Sequence, residues 1–88
     1  MKTIEFTVRD ELGLHARPAG LLVKLAQGFS CESTIYLART DKTASLKRLL
    51  AVMGLGVKGG DNITVTLSGA DEQAAADAIE TWLEQNLG

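Results

Sequence analysis

The sequence predicts a single α+β domain over residues 1–88, in which a four-stranded antiparallel sheet has three helices on one face. Three stretches alternate apolar and polar residues with a period of two, which is typical of strands with one buried face. Other stretches have helical spacing, and the predicted order is strand, helix, strand, strand, short helix, strand, helix. A chain of 88 residues, 45% of them hydrophobic, can bury one modest core but not two.

The four predicted strands cover residues 2–8, 31–37, 43–45 and 62–68. In the three longer strands, every second side chain faces the same side of the sheet. These inward positions are Ile4, Phe6, Val8, Cys31, Ser33, Ile35, Leu37, Ile63, Val65 and Leu67. The outward positions of the first and last strands are polar, so we expect the other side of the sheet to face water.

Two longer helices are predicted from apolar stripes at helical spacing. The first runs from about Ala16 to Gln27, and Gly28 is expected to end it in a left-handed conformation. The last follows a capping box at Ser68–Asp71 and ends near Gly88. The stripe residues are Leu21, Leu22, Leu25 and Phe29 in the first helix, and Ala75, Ala78, Ile79, Trp82 and Leu83 in the last.

A short helix is predicted from Leu46 to Met53, ended by Gly54 and Gly56. It carries more apolar residues than one buried stripe requires. Such a helix either lies deep in a core or shows one side to a partner. The residues alone leave both interpretations open.

Composition excludes several classes of function. Nine basic and eleven acidic residues give a net charge of −2, which weighs against a nucleic-acid binder. There is no apolar run long enough to span a membrane and no signal peptide, so we expect a cytoplasmic protein without membrane insertion. The single Cys31 excludes an internal disulfide, and one histidine and one cysteine on different elements lack the spacing of a metal site.

The segment 13–19 holds the chain's only histidine, His15, and its only proline, Pro18. Proline fits the first turn of a helix, and a helix start offers free N–H groups and a partial positive charge that suit a phosphate. Arg17 adds a permanent cation with forked donors, and imidazole is a nitrogen nucleophile. These residues suggest a histidine that accepts a phosphoryl group, although a lone histidine beside a helix start is more often a surface or capping residue.

Gly13-Leu14-His15-Ala16-Arg17-Pro18-Ala19 resembles the active-site signature of HPr, the histidine-containing phosphocarrier family of the bacterial phosphotransferase system. The segments Lys47–Gly56 and Ser68–Glu72 are similar to that family as well, so the resemblance covers essentially the whole chain. It implies an open-faced β-sandwich with a four-stranded antiparallel sheet and three helices.

The resemblance also implies roles for individual residues. His15 would accept the phosphoryl group on Nδ1 from phospho-enzyme I, which draws on phosphoenolpyruvate, and pass it to an enzyme IIA. Arg17 would be the charge partner, and the N–H groups of Ala16 and Arg17 would be backbone donors. The residues expected to dock partners are Arg48, Leu49, Leu50 and Met53. The chain would then be a stoichiometric carrier rather than an enzyme, a monomer, and free of cofactors.

Two departures from the family pattern affect this expectation. Arg48 stands where many relatives carry a regulatory serine, so phosphorylation by a kinase is not expected there. The segment Leu37–Lys42 is about two residues longer than usual. Two alternative functions remain: an HPr-like regulatory or nitrogen-branch carrier that acts through partner binding, and a ferredoxin-like ligand-binding domain in which His15 is incidental.

Overall fold

Four strands and three helices follow one another in the predicted order. The computed structural model describes residues 1–88. The elements are β1 (Lys2–Thr7), α1 (Ala16–Gln27), β2 (Glu32–Leu37), β3 (Lys42–Ser45), α2 (Leu49–Gly54), β4 (Asn62–Ser68) and α3 (Glu72–Leu87). The predicted strand limits are correct to within one residue at each end. No helix combines the length and the apolar character that crossing a membrane would require.

The sheet has the strand order β1-β4-β2-β3, and each neighbouring pair is antiparallel. Val65 of the central strand β4 lies opposite Ile4 on one side and Ile35 on the other, and Ile35 in turn lies opposite Ala44. This row crosses all four strands on the side that faces the helices. Register is therefore set by the apolar side chains that must point into the core.

The helices cover one face of this sheet and leave the other uncovered. The core cluster joins the inward side chains of the strands to α1, α3 and Val52 of α2. On the opposite face, Thr34, Tyr36, Thr64 and Thr66 are partly exposed. The predicted open-faced sandwich with three helices is confirmed.

The buried stripe of α1 differs from the predicted one, although the helix limits agree. Ala19, Leu22, Val23 and Ala26 are buried, whereas the predicted stripe residue Leu21 is 51% exposed. Gly28 does not end the helix in a left-handed conformation, because its φ is −74° and its ψ is −8°. Two of the four buried positions are alanines, which a search for large apolar residues overlooks.

The start of α2 was predicted three residues too early. Leu46 is fully buried but lies in the turn that follows β3. Its N–H donates to the carbonyl oxygen of Ser33 at 2.9 Å, and the N–H of Arg48 donates to the carbonyl oxygen of Ser45 at 3.2 Å. The helix begins only at Leu49, after Arg48 at φ −120° and ψ 107°. Apolar character alone could not separate a buried turn residue from a helix start here.

The predicted capping box at Ser68–Asp71 is also wrong. The Asp71 carboxylate accepts the backbone N–H groups of Ser30 and Cys31, each at 2.8 Å, and makes no capping hydrogen bond to α3. Instead, the carboxylate of Glu72 accepts the N–H of Gly69 at 3.1 Å. Asp71 therefore fastens the segment after α1 to the start of α3.

Candidate functional site

His15 lies at the N-cap position of α1 and is exposed. Its backbone is extended, with φ −80° and ψ −176°, and its carbonyl oxygen accepts the first helical hydrogen bond from the N–H of Ala19 at 2.9 Å. The imidazole makes no capping hydrogen bond. The ring is therefore held at a helix start by its backbone while its nitrogens stay available at the surface.

Two backbone N–H groups beside His15 have no acceptor in the protein. Ala16 and Arg17 open the helix, and neither of their N–H groups takes part in a backbone or side-chain hydrogen bond. Pro18 has no such donor, and the first turn contains no acidic residue. Free amides at the positive end of a helix form a ready site for an anion.

Arg17 adds a mobile positive charge to the same helix start. Its side chain is exposed, and it belongs to neither of the two ion pairs in the molecule, Met1–Glu72 and Arg39–Asp61. A guanidinium without a carboxylate partner can turn its donors toward phosphate oxygens. The structure thus brings His15, Ala16 and Arg17 together as predicted, on a surface rather than in a cleft.

The segment before His15 is pinned to the loop between α2 and β4. Gly13 has φ 65°, and a Cβ added there would collide with the carbonyl oxygen of Val57 and lie 2.6 Å from the Cα of Lys58. Leu14 is buried, and its N–H donates to the carbonyl oxygen of Val57 at 3.1 Å. Only glycine permits this close approach, which sets the point where the chain emerges at His15.

An apolar surface on α2 comprises Leu49, Leu50 and Met53, which are 39%, 83% and 39% exposed. Val52, between them, is fully buried and provides the contact with the core. Arg48 precedes this surface and is exposed. The surplus of apolar residues is therefore on the outside, which answers the question of burial that the sequence left open. The helix packs against α1, the helix whose N-cap residue is His15.

The sequence did not point to the ion pair between Arg39 and Asp61. The guanidinium Nε donates to Oδ1 at 2.9 Å, and Nη2 donates to Oδ2 at 3.0 Å. These hydrogen bonds lower the pKa of Asp61 and raise that of Arg39. The two residues are 22 apart in the chain. Arg39 falls in the segment Leu37–Lys42, whose expected extra length was the one signal in the sequence.

No three histidine, cysteine, aspartate or glutamate side chains come together in a group that could hold a metal ion. Cys31 is a buried core residue, and burial raises the pKa of its thiol. The chemistry available at the site therefore comes from one imidazole, one guanidinium and two backbone amides. This set can receive, hold and release a phosphoryl group.

Comparison with known proteins gives matches over nearly the whole chain. Residues 2–85 match the family described as the PTS HPr component phosphorylation site. The chain is 46% identical over 85 residues to the phosphocarrier protein HPr of Lysinibacillus sphaericus. The aligned region covers 97% of this chain and 94% of that protein.

Two solved structures from Thermoanaerobacter tengcongensis show the same fold. The structure of HPr-C-His superposes with a TM-score of 0.89 and 32% identity, covering 97% of this chain and 93% of the other. An HPr dimer superposes with a TM-score of 0.76 and 32% identity, covering 100% of this chain and 99% of the other.

Proposed function

The chain belongs to the HPr family of phosphocarriers of the phosphotransferase system, and from this membership we propose that His15 accepts a phosphoryl group from phospho-enzyme I and passes it to an enzyme IIA. The donor of enzyme I would be phosphoenolpyruvate. The observation that supports this role most directly is the exposed, uncapped imidazole of His15 beside two backbone N–H groups without acceptors.

In the proposed transfer, the lone pair of His15 Nδ1 attacks phosphorus while the bond from phosphorus to enzyme I breaks. The incoming phosphoryl oxygens meet the N–H groups of Ala16 and Arg17 and the guanidinium of Arg17. These donors stabilise negative charge in the transition state without forming a covalent bond. The same steps in reverse order deliver the group to enzyme IIA.

Docking of both partners is proposed at the apolar surface of α2. Leu49, Leu50 and Met53 provide area that becomes buried on contact, and Arg48 provides a cation at its edge. The loop that follows α2 accepts the N–H of Leu14 at the carbonyl oxygen of Val57, so the chain that leaves this surface is bonded to the residue before His15. One docking surface used in turn by donor and acceptor suits a carrier.

The protein would act as a stoichiometric intermediate and not as an independent catalyst. Asp10, five residues before His15, uses its carboxylate to accept the N–H of Leu12 at 2.9 Å. A carboxylate engaged in its own loop is poorly placed to activate water for hydrolysis of a phosphohistidine. We place this activity in the cytoplasm and assign it to the monomer.

The test is labelling with phosphoenolpyruvate and enzyme I from the same organism. We expect one phosphoryl group per chain, labile in acid as expected of a phosphohistidine, and transfer onward when enzyme IIA is added. The His15→Ala variant should fold and remain unlabelled. Absence of label on the wild-type protein, with an enzyme I that labels itself, would overturn the proposal. Light scattering of the labelled protein tests the monomer.

A further inference from the structure

We infer that Arg39 is a positioning residue for His15, because it clamps the loop on which the backbone leading to His15 rests. The role depends on the phosphoryl transfer proposed above. Neither Arg39 nor its partner Asp61 belongs to the 13–19 segment or to the apolar surface of α2. Their effect would reach the site through the backbone alone.

The first step is the clamp itself. Asp61 is buried except for 8% of its surface, and it accepts two hydrogen bonds from Arg39, at 2.9 and 3.0 Å. The same Nη2 donates to the carbonyl oxygen of Gly56 at 3.0 Å. Asp61 Oδ2 also accepts the N–H of Lys58 at 2.8 Å. One guanidinium and one carboxylate thus tie the beginning, middle and end of the loop 56–61 together.

The second step joins this loop to the site. Val57 lies inside the clamped segment, and its carbonyl oxygen accepts the N–H of Leu14 and occupies the space that a Cβ at Gly13 would need. Gly59 approaches the other side of the same turn, since a Cβ there would lie 2.8 Å from the carbonyl oxygen of Asp10. A shift of the loop would therefore move the peptide that precedes His15.

The third step concerns accuracy. Catalytic groups lose rate steeply when they are displaced, and a misplacement of about 1 Å can cost about 100-fold. His15 has no side-chain hydrogen bond of the capping kind to correct its orientation, so its placement depends on the backbone. A bidentate arginine–aspartate pair provides a stiff, directional contact for that purpose.

The experiment compares three variants as substrates of enzyme I. We expect Arg39→Ala to lower kcat/KM for phosphorylation by about 3-fold to 10-fold, with the loss in kcat, because a local shift should stay below the limit of about 1 Å. Arg39→Lys keeps the charge but cannot donate in a fork, so it should fall between Arg39→Ala and the wild type. If Arg39→Ala does not fold at the assay temperature, Arg39→Lys is judged by the same criteria.

The matched control is Asp71→Asn. Asp71 also holds two backbone N–H groups of a loop, but that loop follows the far end of α1, about 18 Å along the helix from His15. Asp71→Asn should lower the melting temperature and leave kcat and KM unchanged. A purely structural role for Arg39 would give the same result for both positions, and that outcome would overturn the inference.

Nuclear magnetic resonance gives a second readout that a structural role would not move. The chain has a single histidine, so the imidazole signals are unambiguous. Arg39→Ala should shift the ring signals of His15 in the folded protein, whereas Asp71→Asn should not. If enzyme I does not phosphorylate the wild-type protein, the proposed function is rejected. If it does, and Arg39→Ala shows the wild-type rate and the wild-type His15 ring signals, only the role of Arg39 is rejected.

Discussion

The backbone N–H of Leu14 donates to the carbonyl oxygen of Val57 at 3.1 Å, and this hydrogen bond joins the segment that carries His15 to the loop before β4. Both residues are buried, so the bond is shielded from water. The position of His15 therefore depends on a segment more than forty residues away in the sequence. Residues that never touch a phosphoryl group can therefore affect the site.

The first prediction concerns Gly13→Ala. Its φ of 65° disfavours a side chain, and the added Cβ would collide with the Val57 carbonyl, so we expect a loss of about 2 to 4 kcal/mol in the free energy of unfolding. Gly20→Ala in α1 is the control. It meets nothing within 4 Å and should raise stability by about 0.5 to 1 kcal/mol. Urea unfolding measures both, and equal effects would contradict the prediction.

The second prediction concerns Arg17→Ala. The side chain is exposed and unpaired, so the unfolding free energy should change by less than about 0.5 kcal/mol. Phosphoryl transfer from enzyme I should slow by about tenfold, which corresponds to losing one charge-assisted hydrogen bond of about 1.5 kcal/mol. Arg17→Lys should recover part of the rate. Loss of the folded state would show that Arg17 is structural.

The third prediction separates docking from packing on α2. Leu50→Ser should raise the KM for enzyme I with little effect on stability, because Leu50 is 83% exposed. Val52→Ala, on the buried side of the same helix, should cost about 2 kcal/mol of stability. Its KM should stay near the wild-type value in the folded protein. A wild-type KM for Leu50→Ser would show that enzyme I does not dock at Leu50.

The fourth prediction concerns acid stability. The hydrogen bond from the Ser30 N–H is the main cause of the lowered pKa of Asp71 in the folded state. A lowered folded-state pKa stabilises the fold fully above the ordinary value of 3.8, and this contribution fades as pH falls through the folded-state pKa. Asp71→Asn should be less stable than wild type at pH 7, and the gap should narrow toward pH 2.

Urea midpoints of the two proteins, measured from pH 7 down to pH 2, check this. Glu80→Gln is a suitable control, because Glu80 is exposed on α3 and its carboxylate takes part in no ion pair. A gap between wild type and Asp71→Asn that stays constant with pH would contradict the assigned cause.

The strands and the reactive segment could be predicted because their signals are local. Alternation places Ile35 and Val65 inward without any knowledge of partners, and both are fully buried. The start of α1 at Ala16 follows from Pro18 and the apolar spacing, and the structure agrees. Family resemblance added the identity of the group that His15 would carry, which no spacing of residues specifies.

The errors come from contacts between distant residues. Asp71 was predicted as part of a capping box because Ser68 precedes it by three residues. Its carboxylate instead accepts the backbone N–H of Cys31, 40 positions away. Leu46 was predicted in the helix because it is apolar, yet it lies in the turn after β3, where its N–H donates to the carbonyl oxygen of Ser33. Arg39 and Asp61 have no periodic signature at all. Contacts between distant residues determine the conformation at these positions, and no local pattern in the sequence indicates those contacts.

The free N–H groups at the start of α1 also allow phosphorylation of His15 to be followed by amide hydrogen exchange. The amide hydrogens of Ala16 and Arg17 have no acceptor in the free protein, so they should exchange with heavy water at nearly the rate of an unfolded chain. A phosphoryl group on His15 would supply those acceptors and slow both exchanges. The exchange rates of these two amides would then report how long the phosphoryl group stays on His15.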